Sequence, residues 1–422
     1  MKQAFFTISY HDKHTQARTG ILNTPHGVIH TPAFVPVGTQ ATVKSLTPEE
    51  LVDLGIELFF INTYHLYLRP GLNVIKRFGD VHAFMGWNRP LISDSGGFQV
   101  FSLGGKQYVN IAISEAAVLD RDRFTKKLSR VDSTKNNVYP DEYKPVGRLV
   151  DIDEDGVTFT SHWDGTKHRF TPEVSIDIQH QLGADLIIAF DECPPYPTTY
   201  EYAKEANRRT HAWGLRSLAQ HAKDNKKNQA LYGVIQGSIY EDLRKDSARV
   251  ISGLPFEGIA IGGVAVGEPK ETVRQVCDWV IPLLPPDKPR HLLGVGEIDD
   301  IFDIVERGID TFDCVMPTRL GRMGHILCEK WKTKNRKWTF DITKKLFSQD
   351  TGPLTADCGC YTCKHFSRAY VHHLFRVKEL LGYRLATIHN LFFLQNLVAH
   401  IRNAITTDSL VEMKKHWLYN TI

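Results

Sequence analysis

Three cysteines near the C-terminus fall within six residues of one another, in the stretch TADCGCYTCKHFSRAY (355–370). Cys358, Cys360 and Cys363 cannot pair off among themselves, and thiolates at this spacing are typical ligands of zinc. A structural zinc ion takes four tetrahedral ligands, so one further residue is needed, and with four filled positions the ion would activate no water. The spacing leaves four histidines open for that position: His365, His372, His373 and His389.

Carboxylates are the second group of residues that could do chemistry. Asp94 lies in SDSGGFQVFSL and Asp313 in FDCVMPTR, each at the end of an apolar run. Two carboxylates across a cleft can exchange the group at a sugar C1′, because one attacks to form a covalent glycosyl intermediate while the other shuttles protons. Asp191 can accept hydrogen bonds from the N–H groups of a base edge, and Gln236 can both donate and accept.

Eight short apolar runs, separated by amphipathic stretches, recur along the chain. The runs are too apolar to be half-exposed, which is typical of parallel strands covered by helices. Eight strands alternating with helices predict an α/β protein with a (β/α)₈ barrel. An open doubly wound sheet is the alternative, although no GxGxxG turn follows the first run. The predicted strands span residues 31–39, 58–63, 90–96, 184–192, 231–237, 256–263, 290–296 and 311–318.

Six residues suited to binding or catalysis stand at or near the C-terminal ends of these predicted strands. In a barrel those ends converge on one face, where active sites are built. Each residue could instead cap the next helix or start a turn. Six at equivalent positions, three of them carboxylates, favour a shared site. The six are Asn62, Asp94, Asp191, Gln236, Gly263 and Asp313.

The composition is that of an ordinary globular protein: the 422 residues are 42% hydrophobic and 23% charged. The formal net charge is only +3, so any nucleic-acid binding must come from a local patch. No signal peptide is visible, and no apolar stretch approaches the roughly 20 residues needed to span a bilayer. Seven cysteines, an odd number, argue against a disulfide framework. We therefore expect a cytoplasmic protein without a membrane span.

Two segments break the alternation of strands and helices. Residues 104–156 are long, charged and poorly periodic, and a loop of this length is either functional or a solvated excursion. The rest of residues 1–318 is predicted to form the barrel. Residues 319–422 are predicted to hold a basic hairpin, a zinc-binding subdomain and C-terminal helices that close the barrel.

Cations alternate with tryptophans in GHILCEKWKTKNRKWTF (324–340), which predicts a hairpin with a charged face. Lys330 and Lys332 lie in this strip, and Arg319 and Arg322 lie just upstream. Lysine and arginine neutralise phosphates and aromatic rings can stack on exposed bases, so we expect these four residues to contact RNA. A merely solvated face is the alternative.

Together these motifs resemble those of bacterial tRNA-guanine transglycosylases, queuosine-pathway enzymes that replace an anticodon guanine by a 7-deazaguanine. The matching stretches cover the whole chain except residues 104–156 and parts of 324–350. They are NTYHLYLRPG, SDSGGFQVFSL, AFDECPPYP, GVIQG, IGGVAVGE, GVGE, FDCVMPTR, and CGCYTC with TIHNL.

The resemblance implies an irregular (β/α)₈ barrel with a zinc-binding subdomain and one structural Zn²⁺ per chain. Asp313 falls on the family's nucleophile, which attacks C1′ of guanosine 34, and Asp94 falls on its general acid/base. His389 falls on the histidine ligand of the metal, completing the set with Cys358 and its two neighbours. The residues that the resemblance implies for base binding are Asp191, Gln236, Gly263, Ser95, Phe98, Asn62 and Val266.

The resemblance also implies the partners of the reaction. Family members are homodimers that act on tRNAs with G-U-N anticodons, those for Asp, Asn, His and Tyr, and they use no nucleotide cofactor. Valine at Val266 is typical of bacterial members, which exchange guanine for preQ1 (7-aminomethyl-7-deazaguanine), whereas queuine-using members tend to have glycine. A non-catalytic partner subunit would be expected to lose both carboxylates, and a glycoside hydrolase of another kind would not need the zinc motif.

The chain departs from the family pattern at three places. Residues 104–156 are longer than the loop that the family usually has there. Leu320 and Met323 stand where polar residues are expected, which bears on the local RNA contacts. Val264 replaces the more usual leucine, a mild change.

Overall fold

The computed structural model of the chain describes residues 4–98, 150–224, 228–329 and 338–419. Its strands are β1 (Phe6–His11), β2 (Arg18–Thr24), β3 (Gly27–Thr31), β4 (Ala33–Gly38), β5 (Phe59–Ile61), β6 (Leu91–Ser93), β7 (Val150–Ile152), β8 (Val157–Thr160), β9 (Lys167–Phe170), β10 (Leu186–Ile188), β11 (Ala230–Ile235), β12 (Gly258–Ile261), β13 (Arg290–Leu292), β14 (Thr311–Cys314), β15 (His325–Leu327) and β16 (Thr339–Asp341). Its helices are α1 (Pro48–Asp53), α2 (Thr63–Leu68), α3 (Leu72–Phe78), α4 (Val81–Met85), α5 (Pro172–Leu182), α6 (Tyr200–Lys223), α7 (Glu241–Ser252), α8 (Lys270–Val280), α9 (Ile298–Val305), α10 (Met316–Arg322), α11 (Tyr361–His365), α12 (Arg368–Arg376), α13 (Leu380–Thr406) and α14 (Leu410–Tyr419), with short 3₁₀ turns at Ile281–Leu283 and Lys345–Phe347.

Eight parallel strands close into a barrel. The order around it is β4, β5, β6, β10, β11, β12, β13 and β14, and β14 pairs again with β4. Helices lie between successive strands, as in a (β/α)₈ barrel. The predicted fold class is therefore confirmed, and each of the eight predicted runs overlaps one barrel strand, although β11 begins at Ala230, one residue before its predicted run.

The barrel strands are short and are buried on both faces. In β5, Phe60 belongs to the apolar cluster inside the barrel, whereas Phe59 and Ile61 belong to the cluster between the strands and the helices. Val234 and Ile235 of β11 alternate in the same way. Successive side chains of a strand point to opposite faces. Two apolar layers therefore replace the alternation of apolar and polar residues that a half-exposed strand would show.

Local signals set the ends of the helices that surround the barrel. Helix α5 begins after Thr171, whose side chain accepts a hydrogen bond from the amide of Val174, and Pro172 occupies its first turn. The helix ends at Gly183, which adopts a left-handed conformation with φ of 79°. Thr199 caps α6 in the same way, by accepting from the amide of Tyr202.

A three-stranded antiparallel sheet, β1-β2-β3, precedes the barrel and was not predicted from the sequence. Leu22 and Ile29 of this sheet join the apolar cluster inside the barrel. The Arg18 guanidinium donates to both carboxylate oxygens of Asp310, at 2.9 and 2.7 Å. Asp310 immediately precedes β14, so the sheet covers the N-terminal end of the barrel strands.

A second antiparallel sheet, β7-β8-β9, follows the long charged segment. Its first strand occupies residues 150–152, so the end of the predicted 104–156 insertion belongs to ordered sheet, and residues 104–149 lie outside the described residues. Phe170 of β9 packs against Gly96, where an added Cβ would lie 2.9 Å from the ring. The sheet thus lies directly beside the loop that carries Asp94.

The C-terminal part of the chain packs against the barrel through α13. Gln395 and Arg402 of this helix donate to the carbonyls of Phe34 and Pro32 at 3.2 and 2.8 Å. Strands β15 and β16 pair antiparallel and form the base of the hairpin predicted at 324–340, whose residues 330–337 lie outside the described part. Within the described ranges, no helix has the length and apolar character needed to cross a membrane.

Candidate active site and metal centre

Six of the residues predicted from the sequence lie at the C-terminal ends of barrel strands. Parallel strands that close into a barrel bring these ends to one mouth, which is where barrel enzymes build their active sites. Asn62 follows β5, Asp94 follows β6 and Gln236 follows β11 directly, while Asp313 lies within β14. Asp191 and Gly263 come three and two residues after β10 and β12. The barrel therefore brings the six together as predicted.

Asp94 is held by the residues that start α2. The Asn62 side-chain amide donates to one carboxylate oxygen, and the backbone amides of Thr63 and Gly96 donate to the other, at 2.8 and 3.2 Å. Asn62 also caps α2, because its side-chain oxygen accepts from the amide of His65 at 3.0 Å. The strand-end loop thus fixes the carboxylate through both of its oxygens, and Asn62, predicted to bind the base, directly contacts Asp94.

Asp313 is anchored through one carboxylate oxygen. The amide of Gly294 donates to its Oδ1 at 3.0 Å, and Nε2 of His291 lies 3.2 Å from the same atom. The side chain is 13% exposed. Around the barrel, the ends of β4 and β5 lie between the Asp313 strand and the Asp94 strand. The two carboxylates therefore stand at separate points on the rim of one mouth.

Asp191, Ser95 and Gln236 form a hydrogen-bonded group at this mouth. The Ser95 hydroxyl donates to Asp191 at 3.1 Å, and Nε2 of Gln236 donates to its other carboxylate oxygen at 2.8 Å. Burial raises the pKa of Asp191 to about 6 even though both hydrogen bonds act in the opposite direction. The carboxylate is therefore ionised at neutral pH and can accept hydrogen bonds from a nucleobase edge.

Gly263 gives the mouth a place where only backbone is present. Its φ is +61°, and an added Cβ would lie 2.5 Å from Oε1 of Gln236. That oxygen is buried and has no hydrogen-bond partner among the described residues. A buried acceptor without a partner is unfavourable, so it is suited to a donor that a ligand brings.

Arg244 of α7 supports this backbone from below and was not predicted. It is fully buried, and its guanidinium donates to the carbonyls of Ile235, Ser238, Gly262 and Gly263 at 3.2, 2.7, 2.7 and 2.8 Å. Burial lowers the pKa of Arg244 to about 10, so it stays charged. In EDLRKDSARV it resembles any cation on an exposed helix, and no sequence signal separates it from its neighbours.

Glu268 is a further residue that sequence reasoning missed. One of its oxygens accepts from the amide of Val266 at 3.1 Å, and the other is buried without a partner among the described residues. Burial raises the pKa of Glu268. Val266 itself is half-buried, whereas Phe98, also predicted to bind the base, is 50% exposed. The conspicuous GE pair in IGGVAVGE was the available signal for Glu268.

Two of the four residues predicted to bind RNA lie on α10, which begins two residues after β14. Arg319 is exposed and Arg322 is half-buried. Nη1 of Arg322 is buried and has no hydrogen-bond partner in the described ranges. Burial, and to a smaller extent repulsion from Arg319, lowers the pKa of Arg322. Both cations thus stand beside the mouth, close in sequence to Asp313. Lys330 and Lys332 lie outside the described residues.

The three clustered cysteines meet His389 of α13. Nδ1 of His389 lies 3.7, 3.5 and 3.3 Å from the sulfur atoms of Cys358, Cys360 and Cys363. Tetrahedral zinc with bonds of 2.3 Å to sulfur and 2.0–2.1 Å to nitrogen would place these atoms about 3.6 Å apart. Nε2 of His389 lies 2.9 Å from the carbonyl of Leu327, which accepts its proton and leaves Nδ1 free to bind a metal. The four residues could therefore hold a metal ion and suit zinc.

The structure distinguishes His389 from the other histidines considered for the metal. His372 is buried, and its Nδ1 lies 2.8 Å from the carbonyl of Ile342, so it serves the packing of α12. Among the described residues, the group of potential metal ligands around the cysteines includes His389 but neither His365 nor His373. The choice that spacing left open among four histidines therefore falls on His389, because α13 brings it to the cysteines.

Carboxylates and amides at the C-terminal mouth of a (β/α)₈ barrel define the class of barrel enzymes whose active sites are built from strand-end loops. A family model described as queuine tRNA-ribosyltransferase matches residues 12–124 and 125–421 of this chain. The chain therefore belongs to the queuine tRNA-ribosyltransferase family and is an enzyme, a transferase.

Individual relatives match along nearly their full length. A queuine tRNA-ribosyltransferase of Thermoanaerobacter sp. (strain X514) is 46% identical over 406 residues, which cover 96% of this chain and 94% of the relative. That of Desulforudis audaxviator (strain MP104C) is 45% identical over 413 residues, covering 98% and 97%. That of Roseiflexus sp. (strain RS-1) is 43% identical over 422 residues, covering 98% of each chain.

Proposed function

We propose that this enzyme is a tRNA-guanine transglycosylase that exchanges guanine 34, in the wobble position of G-U-N anticodons, for preQ1 in queuosine biosynthesis. Its tRNA substrates would be those for Asp, Asn, His and Tyr, and the reaction would take place in the cytoplasm. The observation that carries the proposal is the pair of carboxylates, Asp313 and Asp94, each held by hydrogen bonds at the same barrel mouth. Membership of the family supports the same conclusion.

In the first step, Asp313 attacks C1′ of the guanosine from the face opposite the base. A carboxylate lone pair forms the C1′–O bond while the C1′–N9 bond breaks, and guanine leaves with the electron pair and takes up a proton from Asp94, which acts as the general acid and becomes a carboxylate. The target nucleotide must first leave the base stack, because within the stack the enzyme can neither reach C1′ on the face opposite the base nor exchange the base itself.

In the second step, Asp94 acts as the general base. It takes the proton from N9 of preQ1, and N9 attacks C1′ as the bond to Asp313 breaks and returns its electrons to the carboxylate. Two displacements retain the configuration at C1′. The contacts from Asn62 and Thr63 support this role, because they orient the Asp94 carboxylate.

The base is recognised by the group around Asp191. Its ionised carboxylate would accept from two adjacent N–H groups of the purine edge, and the unpartnered Oε1 of Gln236 offers one further acceptor. The backbone at Gly263 allows the ring to approach closely. Ser95 holds Asp191 in place, and Phe98 would contribute apolar surface at the rim.

The preference for preQ1 over queuine rests on Val266. Its side chain is half-buried and would take up space that the cyclopentenediol of queuine needs, whereas an aminomethyl group is smaller. A competition between preQ1, queuine and guanine for incorporation into tRNA tests this. Replacement of Val266 by glycine should improve the use of queuine and leave that of guanine nearly unchanged.

Arg319 and Arg322 are proposed to bind the phosphates of the anticodon loop, together with Lys330 and Lys332. The unpartnered Nη1 of Arg322 supports this, since a phosphate oxygen would give it an acceptor. Each lost phosphate contact should weaken tRNA binding and reduce its dependence on salt concentration. We further propose that two copies of the chain form a homodimer, which sedimentation analysis tests directly.

The metal centre is proposed to hold one structural Zn²⁺ per chain. Four protein ligands, Cys358, Cys360, Cys363 and His389, fill a tetrahedral ion and leave no position for substrate or water. When bound, the ion would join the cysteine loop to α13. The chemistry at the mouth is therefore assigned to the carboxylates alone.

Release of labelled guanine from tRNA upon addition of preQ1 tests the proposed function. Asp313→Ala should abolish release, because no other group forms the covalent intermediate, and denaturing electrophoresis should no longer show a protein–RNA adduct. Asp278→Ala is the matched control, since this exposed carboxylate lies on α8 and pairs with Arg307 at 2.7 Å. Full activity of Asp313→Ala would refute the nucleophile assignment.

A further inference from the structure

His291 links the proposed nucleophile to the wall of the barrel. It lies on β13 and is fully buried. Its Nδ1 is 2.9 Å from Oγ1 of Thr311, and its Nε2 is 3.2 Å from Oδ1 of Asp313. Thr311 and Asp313 are both on β14, so one imidazole bridges two side chains of the neighbouring strand.

The contacts determine which nitrogen carries the proton. An ionised Asp313 offers only acceptors, so Nε2 of His291 must carry hydrogen to make a favourable contact with it. In the neutral ring, Nδ1 then has a lone pair, and the Thr311 hydroxyl donates to it. Asp313 thereby fixes the tautomer, His291 donates to Asp313, and the Thr311 hydroxyl completes the contacts of the ring by donating to Nδ1.

The two oxygens of Asp313 have different surroundings. Oδ1 accepts from Nε2 of His291 and from the amide of Gly294, which lies at 3.0 Å. In the described part of the chain, no donor contacts Oδ2, although the side chain is partly exposed at the mouth. The anchored oxygen is therefore Oδ1, and Oδ2 has its lone pairs available.

We infer that His291 is a positioning residue for the nucleophile: it holds Oδ1 of Asp313 so that Oδ2 attacks C1′. This inference rests on the proposed function. In the attack, Oδ2 supplies the electron pair of the new C1′–O bond and Oδ1 becomes the carbonyl oxygen of the ester. When the incoming base displaces the carboxylate, the C1′–Oδ2 bond breaks and negative charge returns to the carboxylate, where the donors on Oδ1 stabilise it.

The position of His291 is itself constrained by packing. Its ring lies 6.0 Å from that of Phe60, at an angle of 30°, inside the barrel. A ring packed and hydrogen-bonded on both sides loses little freedom when the substrate binds, which favours a constant direction of attack. A purely structural role would predict that any side chain of similar volume can replace the histidine.

Two amide variants separate these roles, because each side-chain nitrogen can imitate one nitrogen of the ring. His291→Gln extends an N–H group to the position of Nε2 and should retain base exchange within about threefold of the wild type. His291→Asn can reach Thr311 but not Asp313, and should lower kcat about 10- to 100-fold, the effect of one lost hydrogen bond to a charged group. His291→Phe should behave like His291→Asn.

The measurement uses the full-length protein and the exchange of radiolabelled guanine into a tRNA with a G-U-N anticodon. This probe does not depend on the choice between preQ1 and queuine. The KM for tRNA should change less than about threefold, because His291 acts on the reacting atoms and not on RNA binding. Thr311→Val should lower kcat, because Nδ1 of His291 loses its donor and the ring loses its second hydrogen bond, and Thr311→Ser should restore it. Melting temperatures of all variants are measured alongside to exclude unfolding.

Two outcomes overturn the inference and leave the proposed function intact. One is wild-type kcat in both His291→Asn and His291→Phe while Asp313→Asn is inactive. The other is a glutamine variant as slow as the asparagine variant although both melt like the wild type, which would mean that hydrogen bonding to Oδ1 has no special part. Wild-type exchange by Asp313→Asn would instead refute the proposed nucleophile.

Discussion

Burial shifts the pKa of two charged side chains that surround the proposed base pocket. It raises the pKa of Asp191 to about 6 and lowers the pKa of Arg244 to about 10, because a medium of low dielectric constant disfavours each charged form. Both shifts leave the groups ionised at neutral pH. Asp191 thus supplies an acceptor for the base. Arg244 supplies a cation that holds the adjoining backbone, and the hydrogen bonds of its guanidinium go to backbone carbonyls.

The raised pKa of Asp191 predicts an acid limb in the pH profile. The carboxylate accepts N–H groups only when ionised, so kcat/KM for the base should fall about tenfold per pH unit below about 6. The effect on stability has the opposite sign. A raised pKa in the folded state favours the protonated native protein, so the contribution of Asp191 to stability falls as the pH rises from the ordinary pKa of an aspartate through about 6.

Asp191→Asn is the control for this profile. It should remove the acid limb while raising the KM for the base, because the amide places a donor against donors of the purine. An unchanged limb in this variant would assign the titration to another group, and kcat/KM measured from pH 4 to 8 separates the two results.

Gly263→Ala tests the proximity of backbone and base. The new methyl group would lie 2.5 Å from Oε1 of Gln236 and the residue has φ of +61°, so the glutamine must move. We expect the KM for guanine to rise at least about tenfold, equivalent to about 1.4 kcal/mol. Gly55→Ala is the matched control: its φ is +74° but no atom lies within 4 Å, so it bears only the backbone strain. Equal KM values in both variants would contradict the pocket.

At the scale of elements, the barrel is held from the end opposite the site. Asp310 accepts from both Nε and Nη2 of Arg18 and from the amide of Arg290, at 2.9, 2.7 and 2.7 Å. Arg18 also donates to the carbonyl of Lys288 at 2.8 Å. The N-terminal sheet is thereby joined to the beginnings of β13 and β14, the two strands that carry His291 and Asp313.

Arg18→Ala should therefore destabilise the protein strongly. It leaves the buried Asp310 carboxylate without its cation, and breaking such a pair costs about 3–5 kcal/mol. Urea unfolding measures the change. Lys13→Ala is the control, because its pair with Asp408, at 2.7 Å, is exposed on the lysine side and is screened by water, so its loss should change stability little. Similar losses in both variants would show that burial is not the deciding factor.

The same end of the barrel contains a second buried carboxylate, Asp185, which precedes β10. Its oxygens lie 2.8 Å from Nδ1 of His26 and 3.3 Å from Nε2 of His82, and the two imidazole rings stack with centroids 3.7 Å apart. Despite burial, the close contacts with His82 and His26 and the hydrogen bond from the Leu91 amide lower the pKa of Asp185. A lowered folded pKa means that this group stabilises the fold above its unfolded pKa, and that this stability is lost as pH falls through the folded pKa.

At the scale of the whole molecule, the candidate metal centre is connected to the proposed active site through α13. His389 faces the cysteines, and the next residue, Asn390, donates to the carbonyls of Pro317 and His325 at 3.0 and 2.9 Å. Pro317 lies in α10, immediately after the strand that carries Asp313. Displacement of α13 after loss of the metal should therefore alter the position of Asp313, the proposed nucleophile.

Replacement of Cys360 by alanine should weaken zinc binding more than about 100-fold, lower the melting temperature and reduce base exchange. The expected loss of activity follows from the displacement of α13 against α10, and not from chemistry at the metal. Zinc content, melting temperature and exchange rate are measured on the same preparation. Cys277→Ala, a buried thiol on α8, is the control and should keep one zinc per chain. Full activity in a zinc-free Cys360→Ala protein would contradict the connection.

Local sequence patterns predict much of this architecture. Eight continuous apolar runs predicted the eight barrel strands, because a strand buried on both faces needs apolar residues at every position. The positions of Asp94, Asp191 and Asp313 after such runs then placed them at one mouth, since parallel strands end on the same side. Three cysteines in close spacing likewise predicted a metal site, and the structure brings them together with His389 in a group that could hold an ion.

Tertiary structure alone decided the residues that act from a distance in the chain. Nothing in the local sequence of His291, Arg244 or Arg18 marks its partner, and only closure of the barrel buries these side chains against Asp313, Gly263 and Asp310. The antiparallel N-terminal sheet was missed for the same reason. Sequence determines what a segment can form locally, whereas the partner of a buried polar group depends on which distant segment the fold brings to it.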